Sequence, residues 1–121
     1  MPYKALFIGE ERSQKAIEMN VRWEDGRLAG KQLFDALRTN GYEPTDYTFL
    51  NVFETPELIP SFVNQMPIIA MGKKVQKALT DMGISFIPCV HPASRGKIRR
   101  KDRYADHIKT VMSQTLTWSI K

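Results

Sequence analysis

The sequence predicts an α/β protein, a three-layer α/β/α sandwich around a four-stranded, mostly parallel sheet. Short apolar runs at residues 3–8, 47–52, 67–71 and 84–90 have the length and composition of buried strands. Segments with helical spacing of apolar residues follow these runs along the chain. Strands that alternate with helices form mostly parallel sheets with helices on both faces, which leads to the predicted sandwich.

Each predicted strand is delimited by its own residues. Gly9 stops the first strand, and Gly72 stops the third. The second run is rich in β-branched and aromatic side chains, which favour the extended conformation. Pro88 lies within the fourth run and lacks a backbone N–H, so we expect this strand at an edge of the sheet or near its end.

The predicted helices cover residues 14–19, 28–37, a segment that begins at 55–57, residues 75–82 and residues 99–114. Asn40-Gly41 and Gly83 tolerate positive φ and are expected to end two of them. Thr55 and Pro56 are typical of an N-cap and a first helical position. A turn is expected at Asp25-Gly26, between the first two helices.

The positive charge is concentrated in the C-terminal quarter of the chain. Of 18 Lys+Arg and 13 Asp+Glu, residues 1–90 hold ten basic and eleven acidic side chains, and residues 91–121 hold eight and two. Arg99 and Arg100 are expected on the outer face of the last helix. A localised basic face favours a polyanionic partner, DNA or RNA. The alternative is an ordinary solvated helix face.

Length and composition set further expectations. The 121 residues fit one domain, over 1–121, with the composition of a globular protein. No apolar run approaches the roughly 20 residues of a membrane span, and residues 1–8 lack the pattern of a signal peptide. The single Cys89 excludes an intramolecular disulfide and a cysteine-based zinc or iron–sulfur site. We therefore expect a cytoplasmic protein, not bound to membranes, monomeric and without metal or cofactor.

Polar residues follow three of the strands, where the carboxyl ends of a parallel sheet form ligand sites. Gly9 permits close approach of a ligand, and Glu10 is suited to orienting a water or stabilising positive charge. Asn51 offers donors and an acceptor to a nucleobase edge, and His91, held extended by Pro92, can donate to a developing oxyanion. The alternatives are an ordinary turn, a strand-end cap and a surface histidine.

The segment after His91 offers groups that bind phosphate. Ser94, Arg95 and Lys97 provide a hydroxyl and two cations, which Arg99 and Arg100 extend into the last helix. Trp23 is a candidate for stacking on a base, although isolated aromatic side chains more often pack inside the protein.

In this order, four segments resemble motifs of the uracil-DNA glycosylase superfamily, closest to its small family-four and family-five enzymes. They are LFIGE at 6–10, DGRLAG at 25–30, FLNV at 49–52 and VHPAS at 90–94. They resemble, respectively, the strand that runs into Gly-Glu, the Gly-Arg-Pro-Phe-Val-Gly segment, the strand that ends in the base-binding asparagine, and the His-Pro-Ala/Ser motif. The ordered set spans about residues 4–110.

The resemblance implies hydrolysis of the bond between a base and deoxyribose, after the nucleotide is flipped into a pocket. By motif position, Glu10 acts on the water or the cationic sugar, and Asn51 hydrogen-bonds the base. His91 stabilises the negative charge of the departing base. Ser94, with Arg95 and Lys97, holds backbone phosphates. Uracil or a related modified pyrimidine in DNA is the expected substrate.

The sequence also departs from the family pattern. Glu11-Arg12-Ser13 stands where the family continues with Pro-Gly, and Leu28 replaces the phenylalanine that stacks on the base. Trp23 and Phe53 are the candidate replacements, and the iron–sulfur cysteines of the closest relatives are absent. Two competing hypotheses follow: a catalytically inactive nucleic-acid or nucleotide-binding module of the same fold, and an unrelated nucleotide-binding α/β enzyme. A pocket that excludes Asn51 or His91 would favour the unrelated enzyme.

Overall fold

The computed structural model describes residues 3–94 and 100–118 of the protein. Its strands are β1 (Leu6–Gly9), β2 (Thr48–Asn51), β3 (Ile68–Met71) and β4 (Ile87–Cys89). They form one four-stranded sheet in the order β2-β1-β3-β4, and every neighbouring pair is parallel. All four carboxyl ends therefore lie at the same edge of the sheet.

The α-helices are α1 (Gln14–Glu18), α2 (Ala29–Thr39), α3 (Lys73–Asp81) and α4 (Lys101–Thr115). Short 3₁₀ helices occupy Trp23–Asp25, Pro44–Asp46 and Pro56–Phe62. Across residues 3–94 and 100–118, none of the helices combines the length and apolar character that crossing a membrane requires.

Two hydrophobic cores lie on opposite faces of the sheet. Successive side chains of a strand point to opposite faces, so Phe7 and Ile8 of β1 belong to different cores. Phe7 packs in the core that contains the buried residues of α2 and α4, whereas Ile8 packs with Val75 of α3 and Ile59 of the third 3₁₀ helix. Because both faces are covered, the strands are apolar on both sides.

The predicted fold class is confirmed, since the sheet has four parallel strands and helices cover both of its faces. The edge position predicted from Pro88 is also confirmed, because β4 is one of the two outermost strands and Pro88 is exposed. Asn40 caps the C-terminus of α2, and Gly41 follows with φ of +83°.

The helix predicted to begin at 55–57 differs from the structure. The segment after Thr55 is a 3₁₀ helix, and the Thr55 side chain makes no capping hydrogen bond. Pro60 lies inside this segment and has no N–H to donate, which explains why an α-helix does not form. The last helix begins at Lys101, with Arg100 at its N-cap, and the predicted start at Arg99 lies outside the described residues.

The packing of α4 against the sheet can be tested at Ile108, which is fully buried. Ile108→Ala removes apolar contacts and leaves a cavity, so the free energy of unfolding should fall by about 2–5 kcal/mol. Leu116→Ala is the control: Leu116 is 82% exposed, and its replacement should change stability by no more than about 0.5 kcal/mol. Urea unfolding followed by circular dichroism measures the free energy of unfolding of both variants. Equal losses in the two would contradict the packing of Ile108 in the core.

Candidate functional site

A cleft of about 690 Å³ opens at the edge of the sheet where the strands end. Glu10 follows β1, Asn51 ends β2 and His91 lies just after β4, and all three line this cleft. Its volume is within the range of about 300–1,000 Å³ that is typical of small-molecule sites. The parallel topology thus brings together a carboxylate, an amide and an imidazole that are far apart in sequence.

Further lining residues of the cleft come from α1 and from the segment between α1 and α2. Trp23 and Leu28 contribute apolar surface to the cleft. The cations Lys15, Arg22 and Arg27 also line the cleft and are exposed, and they outnumber the exposed carboxylate Glu11, so they give the cleft a basic rim of net positive charge. The cleft therefore combines a partly apolar interior with a positively charged rim.

Trp23 packs closely against two glycines. A Cβ on Gly9 would lie 2.8 Å from Trp23 Cζ2 and 2.7 Å from Asn51 Oδ1, and a Cβ on Gly30 would lie 3.2 Å from the Trp23 carbonyl oxygen. The indole also stacks on Phe49, with ring centroids 6.4 Å apart and planes 19° apart. Gly9 is therefore needed for packing inside the protein, and it lies beneath Trp23 and Asn51 without lining the cleft.

The Asn51 side chain belongs to a chain of hydrogen bonds. The indole Nε1–H of Trp23 donates to Asn51 Oδ1 at 2.8 Å, and Asn51 Nδ2 donates to Glu54 Oε2 at 2.7 Å. Glu54 also accepts from the Arg12 backbone N–H at 2.9 Å and from Arg12 Nε at 3.1 Å. These bonds use one acceptor position and one N–H of the amide, and leave one of each for a ligand.

The backbone before His91 is fixed by α4. Tyr104 Oη donates to the Val90 carbonyl at 2.8 Å, and the Val90 N–H donates to His107 Nε2 at 2.9 Å. The Ala93 N–H donates to His91 Nδ1 at 3.0 Å, so the neutral imidazole of His91 carries its proton on Nε2. His91 is thus a hydrogen-bond donor through Nε2 in its neutral form.

Burial lowers the pKa of His91 from its ordinary value, although the negative charge of Glu10 acts in the opposite direction. The neutral imidazole therefore predominates at neutral pH. Glu10 also faces Lys74, whose Nζ lies 3.8 Å from Glu10 Oε1. Lys74 is largely exposed, so this ion pair is screened by solvent and holds Glu10 only weakly.

The buried thiol beside the site is unsuited to nucleophilic chemistry. Desolvation raises the pKa of Cys89 to about 12, against a smaller lowering effect of its contact with Tyr104, so the thiolate is not formed at neutral pH. Within residues 3–94 and 100–118, no group of three or more His, Cys, Asp or Glu side chains is arranged to hold a metal ion.

Most of the predicted catalytic and base-binding residues share the cleft. Those that line it are Glu10, Trp23, Leu28, Asn51 and His91. Of the predicted phosphate-binding residues, Ser94 and Arg100 do not line it. Arg95, Lys97 and Arg99 lie outside the described residues. His107 does not line the cleft and has a structural role through its bond to Val90.

Leu28 occupies an unusual backbone conformation at the cleft mouth. Its φ is +55° and its ψ is −128°, a region that L side chains rarely adopt, and its side chain is 37% exposed. Strain of about 1–3 kcal/mol is expected for such a residue. Strained backbone of this kind concentrates at functional sites, which agrees with the position of Leu28 on the cleft.

Sequence reasoning missed the basic rim of Lys15, Arg22 and Arg27, because these residues belong to the nearly neutral part of the chain. It also missed Glu54, which supports Asn51. A smaller depression of about 330 Å³ shares Leu28 and Ala29 with the cleft, and Lys101 lines it. The cations of α4 thus begin next to the cleft.

Comparison of the chain with protein-family models finds no family that matches, and comparison with curated protein sequences finds no significant match. The function is therefore inferred from the motifs and the cleft.

The coupling between Glu10 and His91 can be tested by titration. Glu10→Gln removes the negative charge that favours the imidazolium, so the pKa of His91 should fall further below its ordinary value. The pKa of His107 is lowered by desolvation alone and should not change, so it serves as the internal control. NMR titration of the two histidine rings measures both pKa values. An unchanged pKa of His91 in the variant would contradict the electrostatic coupling to Glu10.

The lowered pKa values of the two histidines also make the free energy of unfolding depend on pH. Both histidines have folded-state pKa values below their ordinary value of 6.5, so the unfolded chain binds more protons in that interval. Their contribution to the free energy of unfolding should therefore rise with pH up to about 6.5 and stay level above it. Urea unfolding between mildly acidic and neutral pH measures this dependence.

Proposed function

We propose that this protein is a DNA glycosylase-like enzyme that hydrolyses the N-glycosidic bond of uracil or a related modified pyrimidine flipped out of DNA. The observation that carries the proposal is the convergence of Glu10, Asn51 and His91 on one cleft. These residues come from three of the motifs that resemble the uracil-DNA glycosylase superfamily. A hydrolase of this kind needs no metal or redox cofactor, and we expect it to act as an intracellular monomer.

Each group suits one requirement of the reaction. As the bond between base and sugar breaks, positive charge develops on the sugar, and the carboxylate of Glu10 can stabilise this charge and accept a proton from the attacking water. The departing pyrimidine becomes an anion, and Nε2–H of neutral His91 can donate to its carbonyl oxygen. Asn51 holds the base edge through its remaining N–H and acceptor position.

The surroundings of the cleft suit a polyanion. Lys15, Arg22 and Arg27 form one rim. Lys31 and Lys101 line the adjoining depression, where both pair with Asp35 and leave a net positive charge. Backbone phosphates that lie across these cations would place a flipped nucleotide at the cleft mouth, because phosphate contacts fix the position of DNA on a protein.

The runner-up is a catalytically inactive nucleic-acid or nucleotide-binding module of the same fold. It is favoured by the segment that departs from the family motif, because Arg12 is bound to Glu54 and Ser13 caps α1. A cleft without Asn51 or His91 would favour an unrelated α/β enzyme, but both residues line this cleft.

Catalysis is tested with oligonucleotides that carry one uracil, or one of several modified pyrimidines, under single-turnover conditions. Glu10→Gln should slow excision about 10²–10⁴-fold, as expected for loss of a general base. His91→Ala should cost about 10²–10³-fold, by analogy with loss of one oxyanion donor, and Asn51→Ala should also cost orders of magnitude.

Glu57→Gln is the matched control for Glu10→Gln, because Glu57 is exposed and does not line the cleft. Its excision rate should equal that of the wild type. The absence of abasic product with wild-type protein on every base would refute the enzymatic proposal. DNA binding without cleavage would then identify the binding module.

The basic rim is tested by the salt dependence of DNA binding. Replacing Lys15, Arg22 and Arg27 by Gln should weaken binding and flatten the plot of log K against log salt, by about 0.7 for each lost contact to single-stranded DNA. Lys4→Gln is the control, because Lys4 precedes β1 at the amino ends of the strands, away from the cleft, and pairs with Asp46. An unchanged slope in the triple variant would exclude the rim from the DNA interface. Neutralising Arg99, Arg100 and Lys101 tests the α4 side in the same way.

A further inference from the structure

The Asn51 amide has only one favourable orientation in this structure. An indole N–H is a donor and never an acceptor, and an ionised carboxylate is an acceptor only. Trp23 Nε1–H therefore requires an oxygen opposite it, and Glu54 requires an N–H, which matches the bonds at 2.8 Å and 2.7 Å. A rotated amide would place two donors face to face at Trp23 and two acceptors face to face at Glu54.

Both partners of the amide are themselves held in place. Partial desolvation of the Glu54 carboxylate acts to raise its pKa, but hydrogen bonds from the Arg12 backbone, the Asn51 side chain and the Arg12 guanidinium outweigh it, and the pKa is lowered. Glu54 thus remains an acceptor at neutral pH. Trp23 is fixed by its contacts with Gly9 and Gly30 and by stacking on Phe49.

The orientation of the amide determines which pyrimidine it matches. Uracil presents the N3–H donor beside the O4 acceptor, whereas cytosine presents the N3 acceptor beside the N4 amino donor. An asparagine that rotates freely can pair with either edge by exchanging its oxygen and nitrogen. An amide with a fixed orientation pairs with only one edge when the base enters in one pose. In the pose where Asn51 Oδ1 accepts from N3–H of uracil and Nδ2–H donates to O4, cytosine would place its N3 acceptor against Oδ1 and its N4 amino donor against Nδ2–H.

We propose that Trp23 and Glu54 are positioning residues that fix the Asn51 amide and thereby select pyrimidines with a uracil-type edge over cytosine. This inference rests on the proposed function and deepens it, because it names the ligand class and the residues that determine it. Thymine and 5-substituted uracils present the same edge, so this contact does not distinguish them from uracil. The role assigned to Trp23 is therefore different from the base stacking predicted from sequence.

The experiment compares binding of two single-stranded oligonucleotides of identical sequence. One carries a single 2′-fluoro-2′-deoxyuridine and the other a single 2′-fluoro-2′-deoxycytidine, since the fluorine slows cleavage of the glycosidic bond. Fluorescence anisotropy gives the two Kd values. We expect wild-type protein to prefer the uracil strand by about 10- to 100-fold, the value of one well-formed bidentate contact.

The decisive variant is Trp23→Phe/Glu54→Gln. Phenylalanine keeps an aromatic ring and removes the N–H donor, and glutamine can support either orientation of the Asn51 amide. The ratio of the two Kd values should fall close to one, in part through tighter binding of the cytosine strand, which structural damage alone would not produce. Trp118→Phe/Glu57→Gln makes the same two changes away from the cleft and should keep the wild-type ratio.

The outcomes separate the two proposals. If wild-type protein binds neither strand, the proposed function and this inference both fail. If it prefers uracil but the folded double variant keeps the same ratio, this inference alone is refuted, and equal binding or a cytosine preference in the wild type refutes it as well. If the double variant does not fold, Glu54→Gln alone is measured, since Glu54 is exposed. It removes one of the two constraints on the amide and leaves the Trp23 bond, so the ratio should fall part of the way towards one, and an unchanged ratio refutes the inference.

Discussion

The hydrogen bond from the Trp23 indole to Asn51 Oδ1, 2.8 Å long, lies directly over Gly9 at the end of β1. It joins the segment before α2 to the end of β2, and both Trp23 and Asn51 line the cleft. A side chain at residue 9 would separate the two partners, since its Cβ would lie within 2.8 Å of both. The placement of Trp23 beside β2 and the orientation of the Asn51 amide therefore depend on the same contact.

The backbone that leads into His91 depends on hydrogen bonds from α4. Tyr104 and His107 bind the carbonyl and the N–H of Val90, so the residue before His91 is held at both of its backbone polar groups. The same helix buries Ile108 and Val111 in the core that covers one face of the sheet. Packing of α4 thus fixes the backbone that leads into His91, and the stability of this core and the geometry of the imidazole are linked.

The fold and the convergence of Glu10, Asn51 and His91 were predictable, because strand composition and the carboxyl-edge rule for parallel sheets depend on local patterns. The partners of those residues were not. Arg12 and Glu54 are 42 positions apart, and Trp23 and Asn51 are 28 apart, so their bonds arise only once the strands are assembled. The packing role of Gly9 also depends on the assembled fold, since nothing in the sequence shows that an indole lies above it.

The contacts of Glu54 give a physical reason for the sequence Glu11-Arg12-Ser13, which departs from the motif that the first segment resembles. Arg12 stands in the segment where that motif has Pro-Gly, and proline has no backbone N–H. Here the Arg12 N–H and guanidinium both bind Glu54, which in turn accepts from Asn51. A proline at residue 12 would remove the first of these bonds and a glycine the second, so neither could hold the carboxylate as Arg12 does. The altered motif and the fixed amide are therefore parts of one arrangement, and the segment that weakens the resemblance is the one that supports the asparagine on which the resemblance depends.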